Sequence, residues 1–496
     1  MKRLAALALV VWAPHAIAAG PLGPNGSPIT TNHYTIDLYQ GPVYAGTRIT
    51  GLGGAFVAIA EDTDGNKQNP ATPAVRPFFS YPHFDYWLGW ALTFPATLKD
   101  NDFFNTGTRT NLANADNSFV YFAPAANLQF GELGIGAALE LQNYALSKSG
   151  EGNTGKSLHA SIPTLHLQLA HGFAHNQWVF GVGARLVALN ISPETRDTAL
   201  VSSNGVGLEL GGLWKPEGLP LRLGLAYYAP VRGQPSRTDG QLPNASGDLV
   251  VTGAGVGSLY VPESVALPWD FNFGFAVQLG PRPLNPPWRS AELTERPRLL
   301  HRLRQIDRET RRDDAMRRAA TTEERRAVEH SFDEQQEDDD RVLERELENA
   351  RRSAEAALTK MNRFYVLFSG SMLVTGPVEN AVGVESMVTQ TVNRSGQRSV
   401  ASPRFGVESG VIPTLLKLRA GTYVEPSRFD DVKARVHGTV GLDLKLIRWD
   451  VFGLWPEDYV WRLGLSFDGA ARYSSFGVTL AGWYPRHMDP SELQRR

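Results

Sequence analysis

The sequence predicts an all-β transmembrane barrel of about fourteen antiparallel strands, with an N-terminal plug and a charged helical insertion on its periplasmic side. Three observations predict it. Long runs alternate apolar and polar residues with period two, an export signal opens the chain, and no later window is apolar enough to cross a bilayer as a helix.

The export signal is residues 1–18. Lys2 and Arg3 supply the positive start, Leu4 to Trp12 the apolar core, and Ala16-Ile17-Ala18 a small-residue cleavage site. An apolar run this short does not span about 30 Å of hydrocarbon. An exported chain without a spanning helix enters a membrane only as strands. Of the 496 residues, 49 are Lys or Arg and 51 Asp or Glu, so the balance implies no nucleic-acid partner. The chain has no cysteine, which excludes disulfides and thiolate metal sites.

The alternation is explicit. In "ELGIGAALELQ", Leu133, Ile135, Ala137, Leu139 and Leu141 share one face, and Gly134, Gly136, Glu140 and Gln142 the other. "WDFNFGFAVQLG" sets Trp269, Phe271, Phe273, Phe275, Val277 and Leu279 against Asp270, Asn272, Gly274, Ala276 and Gln278. "KARVHGTVGLDLKL" and "YVWRLGLSFD" repeat the pattern, with Arg435, His437, Asp443, Arg462 and Asp468 on the polar side. Strands of soluble sandwiches run about five or six residues, whereas about ten at a 45° tilt cross a bilayer. Aromatic residues at the ends of the apolar faces (Trp87, Trp90, Trp178, Phe180, Trp461, Tyr484) read as interfacial girdles.

Fourteen strands are predicted near 79–94, 117–130, 133–147, 159–174, 177–192, 205–215, 219–231, 268–280, 363–376, 401–411, 414–425, 433–448, 459–469 and 474–484. The barrel domain is 78–484, with a tail at 485–496. Links at 131–132, 175–176, 215–218 and 412–413 are short and follow even strands; those at 95–116, 148–158, 193–204, 232–267 and 377–400 are long and follow odd ones. Short turns belong to the periplasmic side and long loops to the outside, so both termini are expected in the periplasm.

Residues 19–77 precede the first strand and contain "GLGGAFVAIAEDTDGNKQNPATPA". A dinucleotide fingerprint needs GxGxxG inside a βαβ unit; Phe56 occupies the third glycine's place, and no parallel-sheet pattern follows. Small residues instead suit a segment packed inside a barrel, and Pro70 fixes the backbone of itself and Asn69 where the chain turns into the wall. The stretch resembles the N-terminal plug of the FadL-type outer-membrane transporters of long-chain fatty acids and other hydrophobic compounds. Gly51, Gly53, Gly54 and Ala55 match the family's small-residue run, Asp62 its acidic position, and Asn69, Pro70 and Ala71 its final triplet. Asn66, Lys67 and Gln68 replace the family's apolar residues before that triplet. The resemblance implies passive passage of a hydrophobic or amphipathic small molecule through a lipid-embedded barrel, gated by the plug, with no cofactor.

The late strands turn basic side chains inward: Lys417, Arg419, Lys445 and Arg462 toward the periplasmic end, Lys433 and Arg435 toward the outer end. Two readings stand: these cations bind an anionic head group, or they form salt-bridge ladders with Glu408, Asp443 and Asp468. No GxSxG, HExxH, P-loop or calcium-loop pattern occurs, so neither an enzyme nor a metal site is expected.

Residues 286–362 break the strand pattern; within 291–362, 35 of 72 residues are charged. Leu343, Leu347, Ala350, Ala354, Leu358 and Met361 recur at coiled-coil spacing after a first apolar set, Leu299, Leu303 and Ile306, which predicts a helical hairpin between strands eight and nine. It is either a solvated spacer or a docking arm for a periplasmic protein. The second option keeps open a scaffold or secretion-adaptor role for the barrel.

Overall fold

The computed structural model describes residues 22–75, 84–95, 102–107, 119–147, 157–193, 199–236, 241–244, 246–251, 259–286, 290–360, 364–412, 415–448 and 460–483. The signal segment, Tyr484 and the tail lie outside these residues.

Fourteen antiparallel strands form the wall: β1 (Phe84–Pro95), β2 (Val120–Phe130), β3 (Leu133–Ser147), β4 (Ser157–Phe173), β5 (Trp178–Pro193), β6 (Val201–Trp214) and β7 (Leu221–Tyr228), then β8 (Asp270–Leu279), β9 (Val366–Thr375), β10 (Val400–Ile412), β11 (Leu416–Glu425), β12 (Arg435–Arg448), β13 (Val460–Ala470) and β14 (Tyr473–Gly482). Each pairs with its sequence neighbours, and β14 returns to β1 with Gly89 opposite Ala481, closing the barrel. Closure leaves no wall strand with a free edge, the condition for placing strands in hydrocarbon.

Period two sorts the side chains. Leu167, Leu169, Phe273, Phe275, Phe405, Val440, Phe467 and Phe476 stand exposed on the outside, a belt that only lipid satisfies. No helix among the described residues is long and apolar enough to cross a membrane. One expected girdle residue is corrected. Trp87 shares the inward parity of Asp85, Ala91 and Thr93 and is buried in the lumen; Trp461 keeps the outward parity of Phe467 and packs 5.7 Å from Trp90.

The plug fits because both surfaces lack side chains where they touch. Helix α1 (Thr47–Gly51) ends in Gly53 and Gly54, both at positive φ. A Cβ on Gly53 would sit 2.8 Å from the Thr422 backbone, and one on Gly51 3.0 Å from the Cα of Gly441. The glycine run is therefore a contact surface. Asn69 donates to the carbonyls of Val57 (2.9 Å) and Gly212 (3.1 Å) and accepts from the Ala71 amide (3.0 Å), joining plug to wall through one side chain. In the turn between β4 and β5, Asn176 donates to the Ala74 carbonyl at 2.9 Å.

The segment from Leu22 onward runs to the long-loop end. Residues 35–37 form the centre of a small sheet, parallel to Ser264–Leu267 and Ala381–Gly383, two segments of the long loops. The first described residues thus lie at the long-loop end, not beside the short turns. Strand parity says nothing of a segment that runs the length of the lumen before β1. Leu22, Ile36, Leu38 and Tyr44 join Leu158, Ile162, Leu189, Val201 and Val265 in the largest apolar cluster, filling the loop half of the lumen.

Between β8 and β9 stand α2 (Ser290–Arg318) and α3 (Thr322–Lys360). Thr321 caps α3: Glu324 accepts from the amides of Ala320 (2.7 Å) and Thr321 (3.0 Å), while the Thr321 hydroxyl accepts from the Glu324 amide at 3.2 Å. These bonds favour the ionised form of Glu324 and hold its carboxyl below the usual range. The helices meet through charge, with Arg304 on Glu346 at 3.1 Å, His301 near Asp340 at 3.2 Å, and Arg308 on Asp339.

Candidate functional site

The lumen has three levels. At the short-turn end, plug and wall interlock through one buried ionic lattice. Arg48 of the plug pairs with Glu408 at 2.9 Å and with Glu61 at 3.1 Å; Glu61 also takes Arg222 of β7 at 2.7 Å. Across the wall, Arg419 bridges Glu408 (2.5 Å) and Asp443 (2.6 Å). Arg462 then joins Asp443 (2.8 Å) to Asp62 (2.9 Å) and Asp64 (2.7 Å) of the plug. Buried charges are tolerated only when paired in this way.

At the loop end the lumen is apolar. Tyr44 stacks on Phe103 at 5.7 Å, Phe103 contacts Phe119 at 4.5 Å, and a cleft of about 20 Å³ opens among Leu38, Phe103, Phe104, Ile162 and Val384. Below it, a second buried lattice secures the wall. His437 lies between Glu425 (2.6 Å) and Asp468 (2.8 Å), Arg435 pairs with Glu425, and the Tyr423 hydroxyl donates to Asp468 at 2.6 Å.

Between the two ends lies a chamber of about 160 Å³. The N-terminal segment contributes Tyr39, Val43 and Tyr44, the plug Lys67 and Gln68, and the wall Glu140, Thr164, His166, Arg185, Tyr228, Asp270, Asn272, Leu373, Thr375 and Arg404. Some of these are saturated: Glu140 holds Lys67 at 2.6 Å, and His166 pairs with Glu209 at 2.6 Å. Asp270 accepts from the Thr375 hydroxyl.

Two cations differ. Arg185 donates only to the carbonyls of Ala229 (2.8 Å) and Pro268 (3.1 Å) and lies 5.3 Å over the Tyr228 ring, and its Nε is without a partner. Arg404 has one weak contact, Nε to the Ser402 hydroxyl at 3.4 Å. Neither forms an ion pair among the described residues, though both are buried. A buried guanidinium with open donors is a ready receptor for a carboxylate or similar anion.

None of the six basic residues singled out in the sequence lines this chamber, and Lys433 is exposed. Arg419 and Arg462 are brought together by Asp443 in the lower lattice. Lys417 lies 4.7 Å over the Trp483 ring, Lys445 is half-buried on β12, and Arg435 belongs to the upper lattice. Arg185 was missed, although alternation along "VFGVGARLVAL" makes it the single charge on the inward face of β5.

No protein-family model and no curated protein sequence matches the chain. Among solved structures it is similar to a FadL homologue from Pseudomonas aeruginosa, at 10% identity over 90% of this chain and 100% of that one, with a TM-score of 0.48. It is also similar to the CymD monoaromatic hydrocarbon channel (10% identity, 90% and 97% coverage, TM-score 0.46). A third is the P. putida toluene transporter TodX (11% identity, 91% and 100% coverage, TM-score 0.43).

Proposed function

We propose that this chain is a FadL-type outer-membrane channel for passive uptake of hydrophobic or amphipathic small molecules, closed at rest by its N-terminal plug. One observation carries the reading: polarity inside the barrel changes in order, from an apolar loop end, through a chamber with two open arginines, to an ion-paired seal. An amphiphile with an anionic head fits that gradient, its tail among Tyr44, Phe103 and Ile162 and its head between Arg185 and Arg404. A cavity of 160 Å³ takes a head group or one small ring, so a longer tail occupies the cleft above.

Onward passage requires the plug to leave the wall. When Asp62 and Asp64 withdraw from Arg462, and Arg48 from Glu408, the wall cations Arg462 and Arg419 become free to receive the head group, with Lys417 and Lys445 beside them toward the exit. Arg435 stays in the upper lattice and steadies the wall. In this reading the short-turn end and the C-terminus face the periplasm.

Proteoliposomes loaded with a fluorescent reporter of dodecanoate test this. The expected result is saturable uptake by the reconstituted chain, lowered by the double variant Arg185→Gln and Arg404→Gln. Uptake no faster than through protein-free vesicles would reject the channel.

A further inference from the structure

The hairpin carries a surface that the channel reading does not use. Along α2, Leu299, Leu300, Leu303 and Ile306 are 56%, 40%, 54% and 55% exposed. They form a ridge on the face opposite to α3, because α3 is held by His301, Arg304 and Arg308 on the other side. The expected apolar seam between the helices is therefore an ionic one, and the apolar residues of α2 point away from it.

We propose that this ridge docks on the anionic phospholipid surface of the membrane leaflet beside the barrel's short-turn end. Three observations favour lipid as the occupant. First, charge: residues 296–312 contain seven arginines, two of them (Arg304 and Arg308) taken by α3, against two acidic residues, whereas α3 has thirteen acidic residues and seven basic ones. A hairpin so polarised turns α2 toward an anionic surface and α3 away from it.

Second, continuity with the lipid belt. The chain leaves the wall after Leu279 and re-enters after Phe364, both exposed at the belt's lower margin. Asn285 ties the departing segment to the turn between β6 and β7, donating to the carbonyls of Pro216 (2.9 Å), Leu219 (3.0 Å) and Leu221 (2.9 Å). The five steps from Asn285 to Ser290 reach at most about 18 Å, which keeps the start of α2 near the rim. The ridge then begins about 13 Å and ends about 24 Å along the helix from that start.

Third, length. The ridge spans two helical turns, and Thr310, Asp313 and Asp314 follow on the same face. Helix–helix pairing needs apolar positions sustained over about three or four heptads, whereas insertion among lipid head groups needs only a short ridge flanked by arginine.

The absence of native cysteine makes the test direct, since one introduced thiol takes one spin label. Full-length protein bearing Leu303→Cys, and separately Glu337→Cys on α3, is reconstituted in phosphatidylethanolamine–phosphatidylglycerol bilayers. Collision with oxygen and with a water-soluble nickel chelate is then compared. Both sites are exposed, and retained heat-modifiability on gels checks that each variant is folded. The expected result is loss of nickel broadening with a gain in oxygen broadening at 303, and the reverse at 337. Equal nickel access at the two sites overturns the proposal. A label at 303 shielded from both reagents also overturns it, in favour of a protein partner or a second copy. Replacing phosphatidylglycerol by phosphatidylcholine is expected to restore nickel access at 303; unchanged protection would remove the electrostatic part of the argument.

Discussion

Two buried sets of arginines in the same lumen have opposite surroundings. At the short-turn end, Arg48, Arg419 and Arg462 meet Glu61, Glu408, Asp443, Asp62 and Asp64, and their charge is neutralised within the fold. In the mid-lumen chamber, Arg185 and Arg404 share the lining with Asp270, Asn272, Tyr39 and Tyr228, yet form no ion pair among the described residues. Residue type does not separate the sets, and neither does a spare donor, since Arg419 Nη1 and Arg462 Nε also lack hydrogen-bond partners; ion pairing does. Paired charge holds a structure together, and buried charge without an ion pair marks a place where something binds.

The largest test of this contrast removes a hub from the paired set. Asp443→Asn leaves Arg419 and Arg462 short of a shared partner, and breaking a buried pair costs about 3–5 kcal/mol. The expected outcome is a lower heat-modifiability midpoint, together with flickering conductance in planar bilayers as the plug loosens. Next, the double substitution at Arg185 and Arg404 should leave that midpoint in place. It should weaken dodecanoate binding by about 10- to 100-fold, since a charge-assisted hydrogen bond contributes about 1.5–3 kcal/mol. Fluorescence titration of the purified protein reads this.

A smaller effect sharpens the geometric side. Gly53→Ala puts a methyl against the Thr422 backbone at a positive-φ position, and such overpacking costs about 1–3 kcal/mol. The plug should loosen without any change of charge, so a conductance change paired with unaltered dodecanoate affinity is expected.

The smallest effect concerns pH. Glu385, in the loop-end helix α4 (Val384–Thr389), has its carboxyl pushed up to about 8, first by burial and then by the charge of Asp102. The folded loop holds this proton while the unfolded chain releases it near 4.5, so stability falls as pH rises from about 4.5 to about 8 and levels off above. Amide exchange across 384–389 should quicken over that window, and Glu385→Gln should flatten the trend.

Alternation made the wall legible because each strand reports its two environments residue by residue, as "WDFNFGFAVQLG" does for β8. The glycine run and the Asn-Pro-Ala triplet were legible for a related reason, since close backbone contact demands those residues. Trp87 was placed on the wrong face because aromatic clustering was weighed above its parity with Asp85 and Ala91. The N-terminal sheet and the ionic lattices were illegible. They join residues hundreds of positions apart, as Arg462 with Asp62, and no local pattern encodes which inward arginine finds a carboxylate. The hairpin followed from its periodicity, but that periodicity did not say which side of α2 would meet α3.

The most direct measurement is a structure of the protein with bound dodecanoate. The carboxylate is expected between Arg185 and Arg404, with the tail directed toward Phe103 and Ile162. A chamber filled only by water at saturating ligand, or a head group lodged elsewhere, would contradict the account.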